Sequence, residues 1–121
     1  MKYQYDKENT FAKILNNEIK TQKIFENNSA IVIQDINPIA EIHYLVIAKG
    51  TYINYEHFVT SASEEEMVNF FKSIEKVATK LKINNKFRLI SNNGLGQNIR
   101  HFHIHIISGK IFNQSEISIT H

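Results

Sequence analysis

The stretch Gly94-Leu95-Gly96-Gln97-Asn98-Ile99-Arg100-His101-Phe102-His103-Ile104-His105-Ile106-Ile107 places three histidines on a two-residue repeat with apolar residues between them. Two residues is the period of a strand, whose successive side chains point to opposite faces. On a strand, His101, His103 and His105 share one face, and Phe102, Ile104 and Ile106 share the other. One face then serves the core while its reverse presents imidazoles. Just upstream, Gly94 and Gly96 free the backbone for close approach to a ligand, and Gln97 and Asn98 bring amide groups to the mouth of the strand. The combination describes a candidate anion site. Imidazoles at alternate positions can also converge on one metal ion, but this set lacks a clear carboxylate or fourth ligand.

Composition narrows the function classes. A chain of 121 residues is the size of one domain. Fourteen basic residues stand against twelve acidic ones, with no basic stripe interleaved with aromatics, so a polymeric nucleic acid partner is not favoured. The absence of cysteine removes disulfides, thiolate nucleophiles and Cys-based zinc sites, and fits a reducing compartment. Apolar runs such as Tyr44-Leu45-Val46-Ile47-Ala48 fall far short of the roughly 20 residues a membrane span needs, and the opening Met1-Lys2-Tyr3-Gln4-Tyr5-Asp6 has no apolar signal core. A soluble, cytoplasmic protein with no membrane partner is expected.

Along the chain, a single domain over residues 1–121 is expected, with a loose N-terminal arm over 1–8 and a C-terminal tail over 110–121. A Thr10 cap followed by Phe11, Ile14, Leu15 and Ile19 predicts a short amphipathic helix. A hairpin across the Asn27-Asn28 turn, a strand resuming at His43 after Pro38, and a strand over 87–91 precede the histidine strand. The clearest helix is capped by Ser61 or Ser63 and carries Glu64, Glu65 and Glu66 in its first turn. Its buried stripe is Met67, Phe70, Phe71, Ile74, Val77, Ala78 and Leu81. Residues 52–59 fit no single pattern. The fold class that results is α+β, a five-stranded, mostly antiparallel sheet with two helices. Taken alone, His43 reads as a boundary residue of an apolar strand, Asp35 as a turn former in Asp-x-Asn-Pro, and His57 and His121 as ordinary surface histidines.

The run from Gly96 to Ile107 resembles the signature of the histidine triad (HIT) nucleotide-binding superfamily. The segments Thr10-Phe11-Ala12-Lys13-Ile14-Leu15-Asn16-Asn17-Glu18-Ile19, Gln34-Asp35-Ile36-Asn37-Pro38-Ile39-Ala40 and His43-Tyr44-Leu45-Val46-Ile47-Ala48-Lys49 resemble its purine nucleoside phosphoramidase branch, in the same order. The likeness covers roughly residues 9 to 109. It implies a purine nucleotide substrate, a homodimer, and no cofactor or metal. It makes His103 the nucleophile toward the α-phosphorus, with His101, His105 and His43 orienting it and contacting phosphate or leaving group. It also implies that Gln97 and Asn98 line the phosphates, that Asn92 or Asn93 is the phosphate-loop asparagine, that Asp35 accepts from the ribose hydroxyls, and that Phe11, Ile14, Ile33 and Ile36 form the purine slot. The activity implied is nucleotidyl hydrolysis or transfer on phosphoramidates or adenylates; the alternatives are dinucleoside polyphosphate hydrolysis and a nucleotide-binding partner protein with incidental turnover. Three positions and one loop depart from the pattern: Asn98 replaces the Ser after Gln, Arg100 the aromatic before the first His, and Ala48 the Pro of the strand-end Pro-Lys, and the glycine loop is shorter.

Overall fold

The computed structural model describes residues 3–112. Within them the elements run α1 (Thr10–Leu15), β1 (Lys23–Glu26), β2 (Ala30–Gln34), β3 (Ala40–Ala48), α2 (Tyr55–Ser61), α3 (Glu64–Leu81), β4 (Arg88–Ile90) and β5 (His103–Ile111). The five strands form one sheet in the order β1-β2-β3-β5-β4, and every neighbouring pair is antiparallel. The last strand is therefore inserted between β3 and β4, which buries the histidine run on both sides.

Register decides what shares a face. Ile33 opposes Leu45 and Ile31 opposes Ile47 across β2 and β3, while Leu45 opposes His105 and Ile47 opposes His103 across β3 and β5. Directly opposed residues project from the same side of a sheet, so these side chains line one face. Phe11 and Ile14 of α1 cover its aliphatic part. On the reverse face Val32, Val46, Ile104 and Ile106 pack with Phe102, with Phe58 of α2 and with Phe70, Ile74 and Val77 of α3. Each fully buried phenylalanine there contributes about 1.5–3 kcal/mol of apolar burial.

Several expectations are corrected. Among the described residues there are three helices, not two: Asn54 caps α2 by accepting from the His57 amide, and Phe58 of that helix is fully buried. Asn9, not Thr10, caps α1, and Ser63 is the cap of α3. His101 precedes β5 instead of lying on it, and the face bearing the imidazoles is closed to solvent, since residues 101–108 are all buried. The N-terminal arm is not loose throughout: Tyr3 stacks on His57 with ring centroids 4.2 Å apart, and Tyr5 contacts His101. Lys110 and Ile111 belong to β5, so the strand enters the segment expected as tail, and the rest of that tail, 113–121, lies outside the described residues. No described helix is long and apolar enough to cross a membrane.

Candidate functional site

The imidazoles are positioned by main-chain partners that fix their tautomers. His101 Nε2 lies 2.6 Å from the Ala48 carbonyl oxygen. A carbonyl only accepts, so this nitrogen carries the proton. Burial holds the His101 pKa down to about 4, the Ala48 carbonyl opposing the shift and nearby His103 adding to it; the ring is neutral and Nδ1 accepts from the Tyr5 hydroxyl. Burial raises the pKa of Tyr5, partly offset by the Asn9 side chain, while Asp6 raises it further, so the phenol stays a donor at neutral pH. His103 Nδ1 lies 2.6 Å from the His101 carbonyl oxygen, which by the same reasoning puts a proton on Nδ1; in the neutral ring the lone pair is then on Nε2. Phe11 packs edge-on against His103, centroids 4.8 Å apart, and only 3% of His103 is exposed.

A second cluster joins β2, β3 and β5. The Ile39 amide donates to His43 Nδ1 at 3.1 Å, so His43 carries its proton on Nε2. That N–H faces His105 Nδ1 at 2.9 Å and Asp35 Oδ2 at 3.2 Å. Accepting on Nδ1 places the His105 proton on Nε2. Asp35 Oδ1 meanwhile accepts from the Asn37 amide at 2.8 Å, closing the turn before Pro38. The turn-former reading of Asp35 thus holds, and the same carboxylate also reaches His43. Ligand atoms of Asp35, His43 and His105 lie within 4.8 Å of one another, a different grouping from the three strand histidines considered for a metal. The donor chemistry does not suit an ion. With Nδ1 of His43 taken by an amide donor, its Nε2 offers a proton where a metal needs a lone pair.

Beside this cluster is a cleft of about 370 Å³ whose walls include Phe11, Ile14, Ile33, Asp35, Ile36 and Ile99, within the size range of small-molecule sites. The structure brings all five expected purine and ribose residues to it. Ile36 is 90% exposed, at its rim. Ile99 was not expected there, and neither was Tyr5 beside His101. The cleft wall does not include Asn92, Gln97 or Asn98. The Gln97 amide donates to the carbonyls of Ile53 at 2.6 Å and Ile99 at 3.1 Å, and its oxygen accepts from the Gly94 amide. In this arrangement it ties its loop to the segment before α2. Asn98 is exposed and Asn92 half-buried, while Asn93 donates to Glu56 Oε1 of α2 at 3.1 Å. Gly94 has a φ of +82°, which side chains resist, although a Cβ there would meet nothing within 4 Å. His57 has a local task, accepting from the Ile53 amide.

Residues 16–111 match the model of the HIT domain. The chain belongs to the HIT domain family. A HIT-like protein of Rickettsia prowazekii is 42% identical over 109 residues, covering 88% of this chain and 91% of the relative. Among solved structures, a HIT family hydrolase from Clostridium thermocellum is similar at a TM-score of 0.75 with 32% identity, covering 87% of this chain and 93% of that one. A histidine triad nucleotide-binding protein from Candida albicans gives a TM-score of 0.75 with 26% identity, over 84% and 75% of the two chains. One departure from the HIT pattern has a visible consequence. Ala48, unlike a proline, has an N–H, and it donates to the Phe102 carbonyl at 3.2 Å while the Ala48 oxygen holds His101.

Proposed function

We propose that the protein is a nucleotidyl hydrolase or transferase acting at the α-phosphate of purine nucleoside phosphoramidates or adenylates through a covalent nucleotidyl-histidine on His103. The observation that carries this reading is the His103 Nδ1–H held by the His101 carbonyl, which makes Nε2 the nucleophilic atom of a neutral imidazole. Its lone pair forms the N–P bond as the bond from phosphorus to the leaving amine or oxygen breaks. The leaving group departs with that electron pair and takes a proton from water. The positive charge left on His103 is shared with the His101 carbonyl. Water then attacks phosphorus, the N–P pair returns to Nε2, and the proton released restores the balance, yielding a nucleoside monophosphate. His101, His105 and His43 orient this chemistry, and donors on the phosphoryl oxygens do most of the catalytic work in such transfers.

Further support comes from the apolar cleft beside Asp35, which suits a purine nucleoside, and from the hydrolase and nucleotide-binding descriptions of the similar structures. The reading includes a homodimer. Val68 and Phe71, three apart on α3, and Leu89 on β4 are exposed apolar residues, and β4 ends the sheet, an edge that can pair with a second copy.

A rapid acid quench during turnover of an adenosine phosphoramidate tests the chemistry. An acid-labile adduct on His103 is expected, activity unchanged in excess EDTA, and a loss of at least about 10³-fold in His103→Asn. Chelator-sensitive activity restored by zinc, with no adduct, would overturn the mechanism. Relative rates on a dinucleoside polyphosphate distinguish the substrate classes, and nucleotide binding without turnover would point instead to a binding protein.

A further inference from the structure

Tyr5 comes from a stretch that offers little to bury, yet its hydroxyl oxygen lies 2.5 Å from His101 Nδ1. The His101 ring is thereby held at both nitrogens, donating to Ala48 through Nε2 and accepting from Tyr5 through Nδ1. The main chain of the same residue performs a separate task, since its carbonyl takes the His103 Nδ1–H. Ring and carbonyl belong to one residue, so a main-chain adjustment at His101 on loss of the Tyr5 contact carries that carbonyl, and with it the direction of the His103 ring. The arm that delivers Tyr5 is itself braced. Asp6 accepts from the Glu8 amide and, through its carbonyl, from the Asn9 side chain. Asn9 caps α1 through the Ala12 amide. From α1, Phe11 packs edge-on against both His101 and His103.

We propose that Tyr5 is a positioning residue for His103, acting through His101, and that the arm and α1 together form a strap holding the two imidazoles in register. The kinetic arm of the test rests on the nucleotidyl-transfer reading above; the spectroscopic arm does not. Tyr5→Phe in the full chain removes the hydroxyl and keeps the ring. In ¹⁵N–¹H spectra of the side-chain imidazoles, the His101 Nδ1 resonance should move downfield as it loses its donor, and the His103 Nδ1–H signal should shift or broaden. On an adenosine phosphoramidate, kcat should fall about tenfold, the loss expected when one buried hydrogen-bond partner is removed, with KM within about twofold. Tyr3→Ala, which unstacks the arm from His57 without touching His101, should leave kcat within about twofold.

An unchanged His101 Nδ1 resonance would overturn the contact. A shifted His101 with an unaltered His103 signal and unaltered kcat would overturn the positioning role. A loss in Tyr3→Ala equal to that in Tyr5→Phe would reassign the effect to general anchoring of the arm. If the wild-type protein turns over none of these substrates, the nucleotidyl reading fails by itself; the His103 signal in Tyr5→Phe then decides the proposal alone, a change supporting it and no change overturning it.

Discussion

Asp35 has both carboxylate oxygens directed by its turn, one to the Asn37 amide and one toward His43, while it also borders the cleft. If it accepts from ribose hydroxyls, Asp35→Ala should weaken ribonucleotide binding by about 1.5–3 kcal/mol, the range for charged hydrogen bonds, and deoxynucleotides by less. Equal losses in calorimetric titrations of the two sugars would leave Asp35 with only its turn and its histidine. His101 gives a second expectation. Its pKa is about 4 in the fold against an ordinary 6.5, so between those values the unfolded chain binds more protons than the folded one. Stability must therefore fall as pH drops from 6.5 toward 4, by about 3 kcal/mol from this group. NMR titration of His101 and urea midpoints across that window check it, and a folded His101 titrating near 6.5 would contradict it. The histidines themselves were legible because alternation is a local signal. The partners were not: Tyr5 reaches His101 across 96 positions, and no local pattern marks such a contact.

α3 shows how far local chemistry reaches at the scale of elements. Its acidic first turn, its cap and its apolar stripe are all written in adjacent residues, and the helix runs over Glu64–Leu81 with Ser63 accepting from the Glu66 amide. Its far end is less favourable. Lys82 takes the left-handed conformation, φ +60°, which a side chain resists and glycine does not. Lys82→Gly should stabilise the protein by about 1 kcal/mol, seen as a raised urea midpoint with unchanged slope; a lowered midpoint would refute the argument. The sequence left α2 open because its seven residues carry the helical spacing only once, at Tyr55, Phe58 and Val59, and its support comes from elsewhere: Phe58 stacks on Phe102 with centroids 4.7 Å apart. The glycine loop shows a contact that its own residues do not announce. Gln97 reads as a ligand-facing amide, but here the carbonyls of Ile53 and Ile99 take its donors.

For the molecule as a whole, fold class and strand number followed from periodicity, while the insertion of β5 between β3 and β4 depends on pairings that no single segment encodes. The same ordering leaves β4 at the edge with Leu89 46% exposed, near the chain's other exposed apolar residues on α3 in type if not in sequence. A homodimer at micromolar concentration is the expected outcome of sedimentation, and Leu89→Lys with Phe71→Lys should shift it toward monomer. A wild-type monomer would remove that part of the proposal. The pairing of β3 with β5 also sets an order in time. His43 meets His105 across 62 positions of chain, and contacts of such separation close late, after hairpins and helices have formed. A chain that has formed only the β1–β2 hairpin and α3 therefore has no paired His43 and His105, and the histidine cluster is assembled only when β5 docks against β3.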